Sequence, residues 1–277
     1  MKLSNIKRKT KYFLAGPGAF INGGIASSRE VYFQKRLLRM NRSIRLPSID
    51  IQTLIGNENT ILNTYSFLPG TSMITDILLL KSLAKRFTNC AYLEIGSWRG
   101  ESLVNIAEVA AECYSVSLSD ADMKSLGYPD SVSQVNDFFI KNTQNITLIK
   151  QNSQTFDFKT LNKKFDLIFI DGDHTYKGVL TDTINAFKLL KDKNSIIVWH
   201  DYGFTPEDVN FSVLSAIFDG LPPPEHNNLY HVSNTLSAIF CREKFDARII
   251  SPNEKPDKIF TVGLKVNSIK PENKLQR

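Results

Sequence analysis

No stretch of this 277-residue sequence stays apolar for the ~18 residues that a helical membrane span needs. Cysteine is scarce: Cys90, Cys113 and Cys241 are odd in number and follow no spacing pattern. That excludes a disulfide framework and a zinc-ligand signature, and suits reduced thiols in a cytoplasmic protein. Internal repeats are absent, as is any aromatic-interleaved basic platform, so no specific nucleic-acid partner is expected. The opening is basic and then mildly apolar from Tyr12 to Ile25. Gly16-Pro17-Gly18 and Gly23-Gly24 interrupt the apolar core that a secretory leader requires.

Charge is distributed unevenly. Residues 1–46 carry eleven cations (Lys2, Lys7, Arg8, Lys9, Lys11, Arg29, Lys35, Arg36, Arg39, Arg42 and Arg45) against Glu30 alone, a net +10. With +6 overall, residues 47–277 carry −4. The basicity therefore belongs to a leading arm, residues 1–64, and not to the body, residues 65–277. An anionic surface contact through residues 1–46 is one reading, and a solvated basic helix over Val31–Asn41 is the other. The apolar residues Val31, Tyr32, Phe33, Leu37 and Leu38 suit either a cover over a pocket or a homodimer contact.

Periodicity organises the body. Apolar positions at helical spacing predict a helix over 72–87, followed by strands at 90–95, 113–118, 146–150, 165–170 and 196–199. Helices are expected between them, notably over 103–111 and 176–190, and a further one runs to Phe218. Leu229–Cys241 and Ile259–Val266 read as two strands of a closing antiparallel hairpin, and the tail from Lys270 is polar. Strand–helix alternation of this kind predicts an α/β fold with a parallel sheet covered on both faces.

The chemistry-bearing residues fall at strand ends. Tyr92-Leu93-Glu94-Ile95-Gly96-Ser97-Trp98-Arg99-Gly100-Glu101-Ser102 runs from an apolar strand through a glycine-bounded turn into a helix, a geometry that lets backbone N–H groups approach a ligand. Asp171-Gly172-Asp173-His174 and His200-Asp201 follow the fourth and fifth strands. In one parallel sheet these ends share a crevice.

On these residues the chain resembles class I S-adenosylmethionine-dependent methyltransferases, and within them the macrocin-type O-methyltransferase and cephalosporin-hydroxylase-like subgroup. The resemblance spans roughly 65–266 and is carried by Glu94, Gly96, Ser97, Gly100 and Ser102, by Asn152-Ser153, by Asp171-Gly172-Asp173-His174-Thr175-Tyr176 and by His200-Asp201. It implies a Rossmann-like sandwich with a mostly parallel seven-stranded sheet and an antiparallel C-terminal hairpin. It further implies S-adenosylmethionine held by Glu94, Gly96, Ser97, Gly100, Ser102, Asn152, Ser153 and Asp171. Where such proteins end the second strand with a ribose-gripping acid, this chain has Ser117, with Asp120 in the next turn. A divalent ion, Mg²⁺ or Mn²⁺, is implied at Asp171, His200 and Asp201.

Methyl transfer to a hydroxyl needs the hydroxyl proton removed, and an imidazole with a reference pKa near ~6.5 suits that task. His174 is therefore the candidate base, beside Asp171. The acceptor class implied is a sugar or another hydroxyl-bearing small molecule. Two other readings stay open: a hydroxylase-like protein on the same scaffold, and a binding module that docks through its basic arm.

Overall fold

The computed structural model describes residues 17–57, 59–140 and 143–269. The first five arm cations (Lys2 to Lys11) and the tail from Lys270 lie outside the described residues. The side chains of 17–26 do so as well. Helix α1 spans Pro17–Arg39, longer than the basic helix expected from Val31. Short elements follow, β1 (Ser48–Ile49) and α2 (Ile51–Ile55), then helix α3 (Ile74–Ala84).

The core alternates as the periodicity predicted: β2 (Ala91–Ile95), α4 (Glu101–Ala107), β3 (Glu112–Ser117), α5 (Asp120–Ser125), α6 (Asp130–Ser133), β4 (Ile146–Lys150), β5 (Leu167–Ile170), α7 (Tyr176–Lys188) and β6 (Ile196–Trp199). A small ribbon of β7 (Gly203–Thr205) and β8 (Asp208–Val209) leads to α8 (Phe211–Gly220). The chain then returns through β9 (Leu229–Val232), β10 (Ala238–Phe240) and β11 (Ala247–Arg248).

The main sheet runs β11-β1-β9-β10-β6-β5-β2-β3-β4. Parallel pairing joins β6, β5, β2, β3 and β4, while β10 lies antiparallel between β6 and β9. This is the expected Rossmann-like α/β class. Nine strands replace the seven expected, because the two-residue strands β1 and β11 extend the edge beyond β9. The leading segment 1–64 thus contributes to the sheet through β1.

The hairpin also differs from expectation. Leu229–Cys241 is not one strand but both arms of the hairpin, turning at 233–237. Ile259–Val266 forms no strand and is open to solvent, with Ile259 94% and Val266 92% exposed. The edge beside β9 that it would need is taken by β1.

Side-chain alternation builds two cores, one on each sheet face. Leu93 and Ile95, Ile168 and Ile170, Ile197 and Trp199 face α7 and α8. Tyr92, Leu167, Phe169, Ile196 and Val198 face α3 and α4. Strands buried on both faces read as near-continuous apolar runs, which is why 167–170 contains no polar residue. Leu214 and Phe218 are buried in α8 as a helix face packed against the core.

Helix α1 is fastened to α8 at both ends. The Glu30 carboxylate accepts from the Phe211 and Ser212 N–H groups at 2.6 and 3.3 Å, satisfying donors that a helix start leaves free. Arg36 and Arg42 pair with Asp219 at 2.7 and 2.5 Å. Phe33 stacks on Tyr176, the first residue of α7.

Candidate functional site

Register aligns the strand ends. Ile95 pairs with Ile170 and Ile170 with Trp199, so Gly96, Asp171 and His200 emerge side by side at the carboxyl edge. The strand order reverses about β2 and β5, which opens a crevice at that point. Gly96 adopts φ +100°, and a Cβ there would sit 2.3 Å from the Asp171 carbonyl oxygen. Only glycine permits this approach. Gly100, at φ +88°, begins α4 in the left-handed region, with Ile140 where a Cβ would go.

A cavity of about 790 Å³ occupies the crevice, a size typical of small-ligand sites. Gly96, Ser97, Gly100 and Ser102 line it after β2, Ser117 at the end of β3, and Asn152 and Ser153 after β4. Asp171 and His174 line it after β5. Met123, Leu126 and Tyr128 supply an apolar roof. That roof is clamped to the glycine turn by hydrogen bonds from the Trp98 indole to the Val132 carbonyl and from the Asp137 N–H to the Trp98 carbonyl.

Glu94 lies beneath the cavity and not in its wall. It is fully buried, accepting from the Tyr92 hydroxyl at 2.6 Å and the Ser102 hydroxyl at 2.7 Å. Burial pushes its pKa up to about 8, against the lowering effect of those two hydroxyls. Its contact ties the start of α4 to the end of β2. Asp120 is exposed and lies outside the cavity, accepting from the Asn136 amide at 3.2 Å. Asn136 itself lines the cavity, and its buried Oδ1 has no hydrogen-bond partner. That orphan acceptor, beside the Ser117 hydroxyl, fits a ligand hydroxyl where the resemblance expects an acid. Ser117 in turn accepts from Lys150 at 3.0 Å.

Charge gathers behind Asp171 at the ends of β5 and β6, where His200 and Asp201 lie outside the cavity lining. His200 Nδ1 sits 3.0 Å from Asp171 Oδ1 and 3.0 Å from Asp201 Oδ1, yet neither contact has hydrogen-bond alignment. Ligand atoms of Asp171, His200 and Asp201 all fall within 4.8 Å of one another. Three donor atoms converging without bonding one another fit a shared cation, and two carboxylates with one imidazole suit a first-row divalent ion. Asp201 holds this position from the left-handed region, at φ 55°.

Asp201 Oδ2 also lies 2.8 Å from His174 Nδ1. That contact raises the His174 pKa above its ordinary value, outweighing burial. For His200, burial works downward but the Asp171 charge and the surrounding carboxylates win, leaving its pKa well above the ordinary value. Asp173, beside His174, instead accepts from the Thr175 N–H and hydroxyl, both at 2.9 Å, ahead of the Thr175 cap of α7.

Asp76 and Asn136 were not legible as site residues. Asp76 is the one acid in the apolar run 74–84 and is fully buried there, which is the signal that sequence periodicity offers for it. Asn136 has no such signal, since it follows the short helix α6 in an irregular stretch.

Residues 93–202 match the family model described as a methyltransferase domain. They run from β2 to just past β6 and include every charged residue of the crevice. That match falls on the Rossmann-like core of this chain. No curated protein matches the sequence. Among solved structures, the SAH-bound Podospora anserina methyltransferase PaMTH1 shares 18% identity, covering 64% of this chain and 83% of its own, at a TM-score of 0.46. Cofactor-bound Rv0187 from MTB shares 18% identity over 64% of this chain and 84% of its own, at a TM-score of 0.44. Likenesses this distant carry no chemistry from one protein to another. Among the described residues, no helix is long and apolar enough to cross a membrane.

Proposed function

We propose that this protein is an O-directed methyltransferase acting on a sugar or another hydroxyl-bearing small molecule, with divalent-metal assistance. The observation that carries this reading is the convergence of Asp171, His200 and Asp201 on one point, with His174 Nδ1 2.8 Å from the same Asp201.

S-adenosylmethionine would lie along the glycine turn, its ribose hydroxyls facing Ser117 and Asn136 and its adenine end toward Asn152 and Ser153. When bound it supplies an activated methyl group. A cation at Asp171, His200 and Asp201 would supply positive charge that acidifies an acceptor hydroxyl. The chain's own part is proton handling and orientation. Asp201 holds His174 by Nδ1, which leaves Nε2 as the basic atom and stabilises the imidazolium once the proton is taken. The half-exposed His174 side chain stands at the mouth, where an acceptor arriving from solvent meets it. The apolar roof excludes water from the donor end.

The test is methyl transfer from S-adenosylmethionine to a panel of vicinal-diol acceptors with Mg²⁺ or Mn²⁺. Transfer to oxygen that is lost in His174→Ala supports the reading. Transfer to nitrogen, or unchanged rates in His174→Ala, contradicts it.

The outward face of α1 adds a second element. Val31, Tyr32 and Leu38 are exposed among Lys35 and Arg39 on one helical stripe. Mixed apolar and cationic faces suit an anionic lipid surface, and we infer such a contact for residues 1–46. Cosedimentation with phosphatidylglycerol vesicles, lost in Lys35→Glu/Arg39→Glu, is the expected outcome. Equal binding to neutral vesicles would contradict it.

A further inference from the structure

We infer that Asp76, from α3 and outside the matched stretch, is the positioning residue that sets the ring of His200 for cation binding. The inference rests on the metal reading above.

Asp76 is fully buried on the sheet face opposite α7, where a bare carboxylate is costly. One of its oxygens is fully engaged: Oδ1 accepts from the Leu236 N–H at 3.0 Å and the Ser237 hydroxyl at 2.7 Å. Both donors belong to the β9–β10 turn, so the carboxylate is held from a second element. The other oxygen, Oδ2, is buried with no hydrogen-bond partner and stands 3.7 Å from His200 Nε2. The Asp76 carboxylate thus faces His200 Nε2 from behind, at ion-pair distance, while Nδ1 lies 3.0 Å from Asp171 and from Asp201.

The consequence is a ring matched to a cation. With a cation on Nδ1, the ring keeps its one proton on Nε2, the atom that the Asp76 carboxylate faces. Metal-binding imidazoles are commonly oriented this way by a carboxylate on the far nitrogen, and its loss typically weakens metal affinity by 10–100-fold. Asp76→Asn is the informative variant. Its amide oxygen can still accept from Leu236 and Ser237, which preserves the fold. Its amide nitrogen would donate toward Nε2 and drive the proton to Nδ1, where it blocks the cation.

The experiment is Mn²⁺ binding, followed by calorimetry and by loss of the free-ion EPR signal. The chains compared are the full-length wild type, Asp76→Asn, His200→Ala and the double variant. The expected result is a 10–100-fold weaker Kd in Asp76→Asn, with melting temperature and S-adenosylhomocysteine affinity retained. In the His200→Ala background the same change should add nothing, because Asp76 acts through that ring. Wild-type Mn²⁺ affinity in Asp76→Asn would overturn the inference. So would an equal loss in the His200→Ala background, which would mean that Asp76 serves the fold alone. Failure of the wild-type chain to bind Mn²⁺ would remove the metal reading itself, and the role of Asp76 with it.

Discussion

The two halves of the crevice handle charge in opposite ways. Beside β2 and β3, Glu94 is sunk beneath the floor and satisfied by two hydroxyls, and the lining Glu101 is paired with Arg99, so no unpaired charge stands among the hydroxyls, amide and glycine backbone of the wall. Beside β5 and β6, carboxylates and imidazoles stand within 3.0 Å of one another and remain only partly hydrogen-bonded. The first half is shaped to wrap a ligand closely. The second keeps charge available for a proton or a cation. A neutral cradle joined to a charged end is what a donor-plus-acceptor site requires.

The largest effect that sharpens this contrast lies at the charged end. His174→Ala should lower the methyl-transfer rate by about 10²–10⁴-fold while leaving S-adenosylhomocysteine affinity near wild type. A matching loss in cofactor affinity would erase the division of labour between the halves. At the neutral end, Gly96→Ala should do the reverse. Its Cβ would collide with the β5 exit, costing stability on the order of 1–3 kcal/mol and weakening cofactor binding. Thermal melts and calorimetry check both parts.

A smaller effect concerns pH. Glu94 titrates at about 8 in the fold against an ordinary 4.5, and Asp182 at about 7 against 3.8, both raised first by burial. The folded chain thus holds protons that the unfolded chain has released. Their contribution to stability is fullest below the ordinary values and is lost as pH rises through 7 to 8. Buried His231 behaves oppositely, with its pKa lowered to about 4 from 6.5. Its contribution is present above 6.5 and lost as pH falls through 4. Between pH 4.5 and 6.5 the two acids outweigh His231, and above 6.5 they act alone, so melting temperature should fall as pH rises toward 8, and Glu94→Gln should flatten that alkaline limb. An unchanged alkaline limb in that variant would show that Glu94 is ionised in the fold.

Much of this arrangement was legible in the sequence. Apolar runs such as 167–170 and the glycine turn at Gly96 have one economical solution each, and register then forces Asp171 and His200 alongside. What escaped depends on long-range pairing. The strand expected at 259–266 alternates correctly, but its edge is occupied by Ser48–Ile49 from more than two hundred residues earlier. Asp76 and Asn136 escaped for a related reason. Asp76 faces His200 from another element and Asn136 faces the cavity from an irregular stretch, and neither lies in a local pattern. The Asp120 alternative failed geometrically, because its side chain faces solvent at the start of α5 and Asn136 stands between it and the cavity.

The most direct test is calorimetric titration of the full-length chain with S-adenosylmethionine and S-adenosylhomocysteine. Saturable one-to-one binding in the micromolar range, weakened in Gly96→Ala and retained in His174→Ala, is the predicted result. No heat with either ligand, from a chain that melts cooperatively, would contradict the assignment of this crevice as a methyl-donor site.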